Sequence, residues 1–308
     1  MKKIHRLLFL LTIVFCLVQN KVNAQQIFLS NQHIVNKYSL SPAYAGTGEL
    51  FGVFGSYRRD WMGVSGAPEL KVISANGSVC KNMGLGGSIS AQQAGIFTNL
   101  SAMLSYAYHV KLSGSSFLSF GLGIGILEKH LDLSNNESIN DPYVYTVDRT
   151  SSMLDASFGI LFRYKNLSFG FGSPRVLSNK ESESRFIWTN RQVHLQYKFS
   201  FNNTWAVEPT ILYLPKEPQF AEISLPIIYQ QKIWLNLLYK KSSMGIGVGA
   251  KLKSNFVFNY TYELYQRGIA SSSGGTHEIT LGWKLINKKN DGQPKPDNKK
   301  PYYDWVNK

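Results

Sequence analysis

The chain is short of charge: only 17% of its 308 residues are Asp, Glu, Lys or Arg. A soluble domain carries roughly a quarter. Cysteine is nearly absent, with Cys16 and Cys80 as the two copies, so a disulfide scaffold is excluded. No apolar run is long enough for a helix to span a bilayer, which needs about 20 residues. Mean hydropathy is −0.16, too polar for a bundle of such helices. Disorder is excluded from the other side, because 13% of residues are aromatic. What is present is an aromatic chain rich in Ser, Asn, Gln and Thr, which points to a β-rich protein.

The first residues read as a leader. Lys2, Lys3 and Arg6 form a basic start, Leu7–Val18 is uncharged, and Val22-Asn23-Ala24 ends in small side chains. These are the three parts of a cleaved export signal, expected to span 1–24. Gln25 follows, not Cys, so no lipid anchor is expected. Cleavage removes Cys16, leaving Cys80 alone on a strand. It also removes Lys2, Lys3, Arg6 and Lys21, so the net charge falls from +14 to +10. An exported protein of this charge is expected to meet lipid phosphates, peptidoglycan or an acidic partner, not nucleic acid.

The remaining sequence has period two. Met244, Ile246, Val248, Ala250 and Leu252 alternate with Gly245, Gly247 and Gly249. Phe256, Phe258, Tyr260, Tyr262 and Leu264 alternate with Asn259, Thr261 and Glu263. Leu122, Ile124 and Ile126 alternate with Gly121, Gly123 and Gly125. A greasy face opposite a small or polar face fits a sandwich core or a lipid-facing barrel wall. Aromatics near strand ends favour the barrel, as interfacial girdles. They are Tyr57, Trp61, Tyr106, Tyr108, Tyr164, Tyr197, Trp205, Tyr213, Tyr229, Trp234, Tyr239, Tyr265 and Trp283. No helical stretch interrupts the strands.

The pattern predicts an all-β, transmembrane antiparallel β-barrel of about 14 strands over 48–287. The strands are expected near 48–61, 68–81, 83–95, 97–111, 115–131, 149–165, 167–176, 189–201, 204–214, 219–229, 231–241, 243–253, 255–267 and 276–287. Residues 25–47 are expected as a short mouth or plug segment, and 288–308 as a basic periplasmic tail. The inward faces are expected to be rich in Gly, Ser and Asn with few charges, as in a narrow or plugged barrel. With both termini periplasmic, the long insertions 132–148 and 177–188 fall on the outer side.

The chemistry of catalysis is not visible. The five histidines after the leader are isolated, and no H-E-x-x-H, C-x-x-C or G-x-S-x-G is present. His277 and Glu278 are adjacent on a strand, so they point to opposite faces and cannot share a ligand. No enzyme activity, cofactor or metal is expected.

Several strings, in order, resemble the PorP/SprF family of type IX secretion and gliding proteins. Ser41-Pro42-Ala43-Tyr44-Ala45-Gly46 looks like the family's Asn-Pro-Ala-Tyr-Ala-Gly, with Ser for Asn. Tyr57-Arg58-Arg59-Asp60-Trp61 is similar to its aromatic-Arg-x-x-Trp, and Gly66-Ala67-Pro68 follows. Gly84-Leu85-Gly86, Tyr106-Ala107-Tyr108 and Asp141-Pro142 match next. Gly275-Thr276-His277-Glu278-Ile279 resembles the opening of the last strand. The motif residues singled out are Pro42, Tyr44, Gly46, Arg58, Trp61, Pro68, Asp141, Pro142, His277 and Glu278. Arg58 and Glu278 are expected to meet where the first and last strands close.

The resemblance implies an outer-membrane component of the secretion or gliding machinery. Its implied partners are the C-terminal domain of a secreted surface adhesin, periplasmic secretion components and outer-membrane lipid. Loops 132–148, 177–188 and 267–276 would contact the cargo, and 288–308 a periplasmic partner. A small-solute porin is the competing reading, and a soluble β-sandwich adhesin a third.

Overall fold

The computed structural model describes residues 30–48, 50–132, 150–180, 183–186, 191–201, 204–215, 221–252, 255–266 and 273–285. The expected leader, the tail 288–308 and the Asp141-Pro142 motif lie outside them.

Alternation produces strands, and the strands close on themselves. In chain order they are β1 (Phe51–Arg59), β2 (Glu69–Cys80), β3 (Met83–Ala94), β4 (Phe97–Lys111), β5 (Ser116–Leu131) and β6 (Thr150–Tyr164). Then come β7 (Leu167–Ser173), β8 (Leu177–Lys180), β9 (Glu183–Phe186), β10 (Gln192–Tyr197), β11 (Phe199–Ser200), β12 (Trp205–Val207) and β13 (Thr210–Tyr213). The rest are β14 (Glu222–Tyr229), β15 (Ile233–Lys240), β16 (Ser243–Lys251), β17 (Phe256–Tyr265) and β18 (Thr276–Leu285).

β8 and β9 pair only with each other, as a hairpin. β10 and β11 run as one stave, and so do β12 and β13. Their register is unbroken: Gln196 faces Thr210, Tyr197 NH donates to the Pro209 carbonyl at 3.1 Å, and Phe199 faces Val207. Pro209 cannot donate to the ladder, which interrupts the strand there. The ring therefore has fourteen antiparallel staves, closed by β14 on β15 and by β1 on β18. These are the fourteen the alternation predicts.

All six connections at one end are short: 81–82, 112–115, 165–166, 201–204, 230–232 and 252–255. The opposite end carries the longer ones, including 60–68, 132–149, 174–191 and 266–275. Cys80, the last residue of β2, is exposed.

The apolar face points outward. Leu122 is 66% exposed, Ile124 65% and Leu104 71%. A belt of this extent is stable only against lipid. Leu122→Arg should therefore lower stability by about 2–4 kcal/mol in vesicles. Urea unfolding followed by tryptophan emission checks this, and an unchanged midpoint would contradict a lipid-facing belt.

Two expectations need correction. Trp234 is not in a girdle but faces inward, 1% exposed, donating from Nε1 to Asn259 at 2.8 Å. Its strand alternates with Ile233, Leu235, Leu237 and Tyr239 outward and Trp234, Asn236, Leu238 and Lys240 inward. The inward faces are also not poor in charge. Arg58, Asp155, Arg163, Lys198, Glu208, Glu222, Lys240, Glu263, Glu278 and Lys284 are all buried. Ion pairs and hydrogen bonds within the lumen make that burial tolerable.

Candidate functional site

Residues 30–47 lie within the ring of staves. They form three short 3-10 turns, Asn31–Ile34, Lys37–Ser39 and Pro42–Tyr44. Ser30 and Ser41 cap the first and third, their hydroxyls accepting from the backbone NH of Gln32 and Ala43. Pro42 occupies the first position of its turn, where no donor is lost. Such a segment has no regular ladder, so its polar groups must find partners on the wall.

At the long-loop end those partners are ionised. The Arg58 guanidinium on β1 donates from Nη1 to Glu263 Oε1 at 2.6 Å and to Glu278 Oε2 at 3.2 Å. Its Nε donates to Asp60 at 2.8 Å. Arg58 and Glu278 stand directly opposite in the closing β1–β18 ladder. Lys240 on β15 reaches Glu263 at 3.0 Å and Glu222 at 3.3 Å. The N-terminal segment completes this cluster. Asn31 donates from Nδ2 to Glu263 at 2.6 Å and from its backbone NH to Glu278 at 2.9 Å. Ser30 donates to Glu278 at 2.5 Å, and His33 pairs with Glu222 at 3.2 Å. Asp60 lies beyond the strand; burial pushes its carboxyl up, opposed by Arg58.

Further down the contacts are close and mix neutral with ionised groups. Lys284 donates to the Val35 carbonyl at 2.6 Å, and Asn36 to Ser74 at 3.0 Å. Lys37 pairs with Glu208 at 3.1 Å, and Gln196 also donates to Glu208. Tyr38 donates to Ser105 at 2.9 Å, and the Tyr44 hydroxyl meets His194 Nε2 at 2.7 Å. Ser119 donates to the Ala43 carbonyl at 2.6 Å.

Glycines on the wall make room for this backbone. A Cβ on Gly84 would collide with the Ala45 carbonyl, one on Gly121 with the Ala43 amide, and one on Gly159 with Ser41 Oγ. Gly46 turns at φ +71, a conformation that a side chain disfavours, and a Cβ there would also crowd Gly84. The Gly-rich stretch around Gly121 is therefore a floor for main chain.

The structure brings five of the eight described motif residues to this lumen. Pro42 and Tyr44 are buried in it, Gly46 seals its short-turn end, and Arg58 and Glu278 bridge the closing seam. Pro68 is buried just before β2, where its carbonyl accepts from Asp60 NH at 2.8 Å. Trp61 sits at φ 48 just after β1, with its ring edge-on to Tyr265 at 6.2 Å. His277 is not in the lumen. It lies on the outer face of β18, 2.7 Å from the Tyr260 hydroxyl.

Sequence reading missed Glu263 as a partner of Arg58, and Glu222, Lys240, His33 and Asn31 as members of the same cluster. The available signal was phase: Glu263 shares the polar face of its strand with Asn259 and Thr261, and Lys240 shares that of Asn236.

Comparison with known proteins bears on both fold and family. Among solved structures, the CymD monoaromatic hydrocarbon channel aligns with a TM-score of 0.50 at 8% identity, over 86% of this chain and 95% of that one. The toluene transporter TodX of P. putida gives 0.45 at 9% identity, over 84% and 95%. The KdgM porin gives 0.40 at 9%, over 76% and 99%. At such identity the likeness shows a barrel fold alone. Among curated proteins nothing matches. The model of the type IX secretion system membrane protein PorP/SprF matches residues 22–283, a span running from just before the lumen segment almost to the end of β18. That span holds the closed ring, the segment inside it and the Arg58–Glu278 seam, and the chain belongs to the PorP/SprF family of type IX secretion system membrane proteins.

Proposed function

We propose that this barrel is an outer-membrane anchor or translocation accessory of the type IX secretion and gliding machinery, and not a conduit for solutes. Residues 1–24 are removed as an export signal, 25–47 plug the barrel 48–287, and 288–308 form a basic tail. The short turns face the periplasm, as in outer-membrane barrels generally. The long-loop end then faces outward, and loops 132–148, 177–188 and 267–276 hold the C-terminal domain of a secreted adhesin. The tail meets a periplasmic secretion component.

One observation carries this reading: the lumen is occupied by the chain's own segment, on a glycine floor and under an ion-pair cluster. A solute porin needs an open path. The charged lumen residues would suit a porin, but Glu263, Glu278 and Glu208 are turned onto the segment.

The test is conductance of the full chain in planar bilayers, paired with mass spectrometry of proteins retained in detergent. Quiet membranes and retained secretion components are expected. Large steady openings would overturn the plugged reading and restore the small-solute porin.

A further inference from the structure

The short-turn end of the barrel carries lysine without acid. Among the six short turns and the strand ends they join stand Lys81, Lys111, Lys165, Lys232 and Lys251. None of those turns contains Asp or Glu. The acids cluster at the other end: Asp60, Glu69, Glu128, Glu222, Glu263 and Glu278 all lie at or near the long-loop ends of their strands.

The lysines are spread around the circumference. They mark the β2–β3, β4–β5, β6–β7, β14–β15 and β16–β17 connections, five of the six. Four are exposed and Lys251 is half-buried. They are level with an aromatic belt of Tyr108, Tyr164, Tyr197, Trp205 and Tyr229 near the same strand ends. The Lys165 ammonium lies 5.4 Å from the Tyr164 ring centre, so its charge sits at belt height. Aromatic belts mark the headgroup level, and lysine stems reach along them to place ammonium groups beside phosphates.

We propose that this collar binds the phosphates of anionic phospholipids in the leaflet at the short-turn end. A protein partner would select a basic patch on one side or over the mouth. A collar at five of the six turns matches a plane of headgroups. The collar grips one leaflet, and Asp60, Glu222, Glu263 and Glu278 at the other end are buried in the lumen, so the lipid-facing charge of the collar fixes the barrel's depth in the bilayer. The assignment of that leaflet to the periplasmic side rests on the membrane placement proposed above; the lipid contact itself does not.

The test uses the full chain in phosphatidylcholine vesicles with spin-labelled phosphatidylglycerol or phosphatidylcholine as probe. The wild type should prefer phosphatidylglycerol by at least about fivefold, the effect of one lysine at an anionic surface. High salt should erase that preference. Replacing all five lysines with Gln should remove it, whereas Arg59→Gln with Lys71→Gln at the opposite end should leave it. No preference in the wild type overturns the proposal. So does a preference that survives the five substitutions, or five substitutions that release a retained secretion protein with lipid selectivity unchanged. Lipid selectivity is read whether the lumen conducts or not, so failure here is distinct from failure of the plugged reading.

Discussion

Arg58→Ala should destabilise the barrel by about 3–5 kcal/mol, the cost of removing one partner from a buried ion pair. The guanidinium touches three carboxylates, on Asp60, Glu263 and Glu278. Its side chain is 4% exposed, and those of Glu263 and Glu278 are 1% exposed. Without it, Glu263 keeps Lys240, Asn31 and Ser243, but Glu278 keeps only neutral donors from Ser30, Asn31 and Ser56. The loss should fall mainly on the β1–β18 seam. Arg58→Lys should recover part of it, restoring charge but not the three-way geometry. Adding Glu278→Gln to Arg58→Ala should recover more, because it removes the stranded charge. Urea unfolding in vesicles reads all three variants. Additive losses in the double variant would show that the two residues are not coupled.

The second large effect is on the lumen. Gly121→Leu with Gly159→Leu should open a barrel that is otherwise quiet. Each new side chain enters space held by Ser41–Ala43 and costs about 1–3 kcal/mol if the segment stays. Displacing the segment relieves both at once. Planar-bilayer recording should show steady openings in this variant and in a deletion of 31–46. Gly55→Ala is the control, because a Cβ there meets nothing within 4 Å. A variant as quiet and as heat-stable as the wild type would show that the glycine floor does not hold the segment.

Much of the fold was legible because a membrane strand must alternate. Phe256–Tyr265 has one reading as a strand, and the phase of Phe258 fixes that of Asn259 and Glu263. Strand number and turn positions followed from that rule. The contacts of the expected mouth or plug segment did not. Residues 30–47 have no period, and their partners are scattered along the chain, from Ser74 for Asn36 to Lys284 for Val35. Charge was misjudged for a related reason. Only some strands, such as β1, β6, β15, β17 and β18, contribute one or two buried ionised residues, which look sparse along the chain and become dense only where those faces converge. Trp234 shows the limit of residue type as a guide: indole suits a headgroup belt, but the neighbouring Asn236 and Lys240 put its strand position inside.

The segment also bears on the order of assembly. Ser30 and Asn31 sit at the long-loop end, against Glu278, while Gly46 sits at the other, against Gly84. The chain then enters β1, whose ladder with β18 is the joint between the two ends of the sequence. If a segment that runs the height of the cylinder already lies across the growing sheet when β18 arrives, closure completes its contacts. Glu278 then finds Arg58, Ser30 and Asn31 together, and the last strand meets a first strand that carries its own contents.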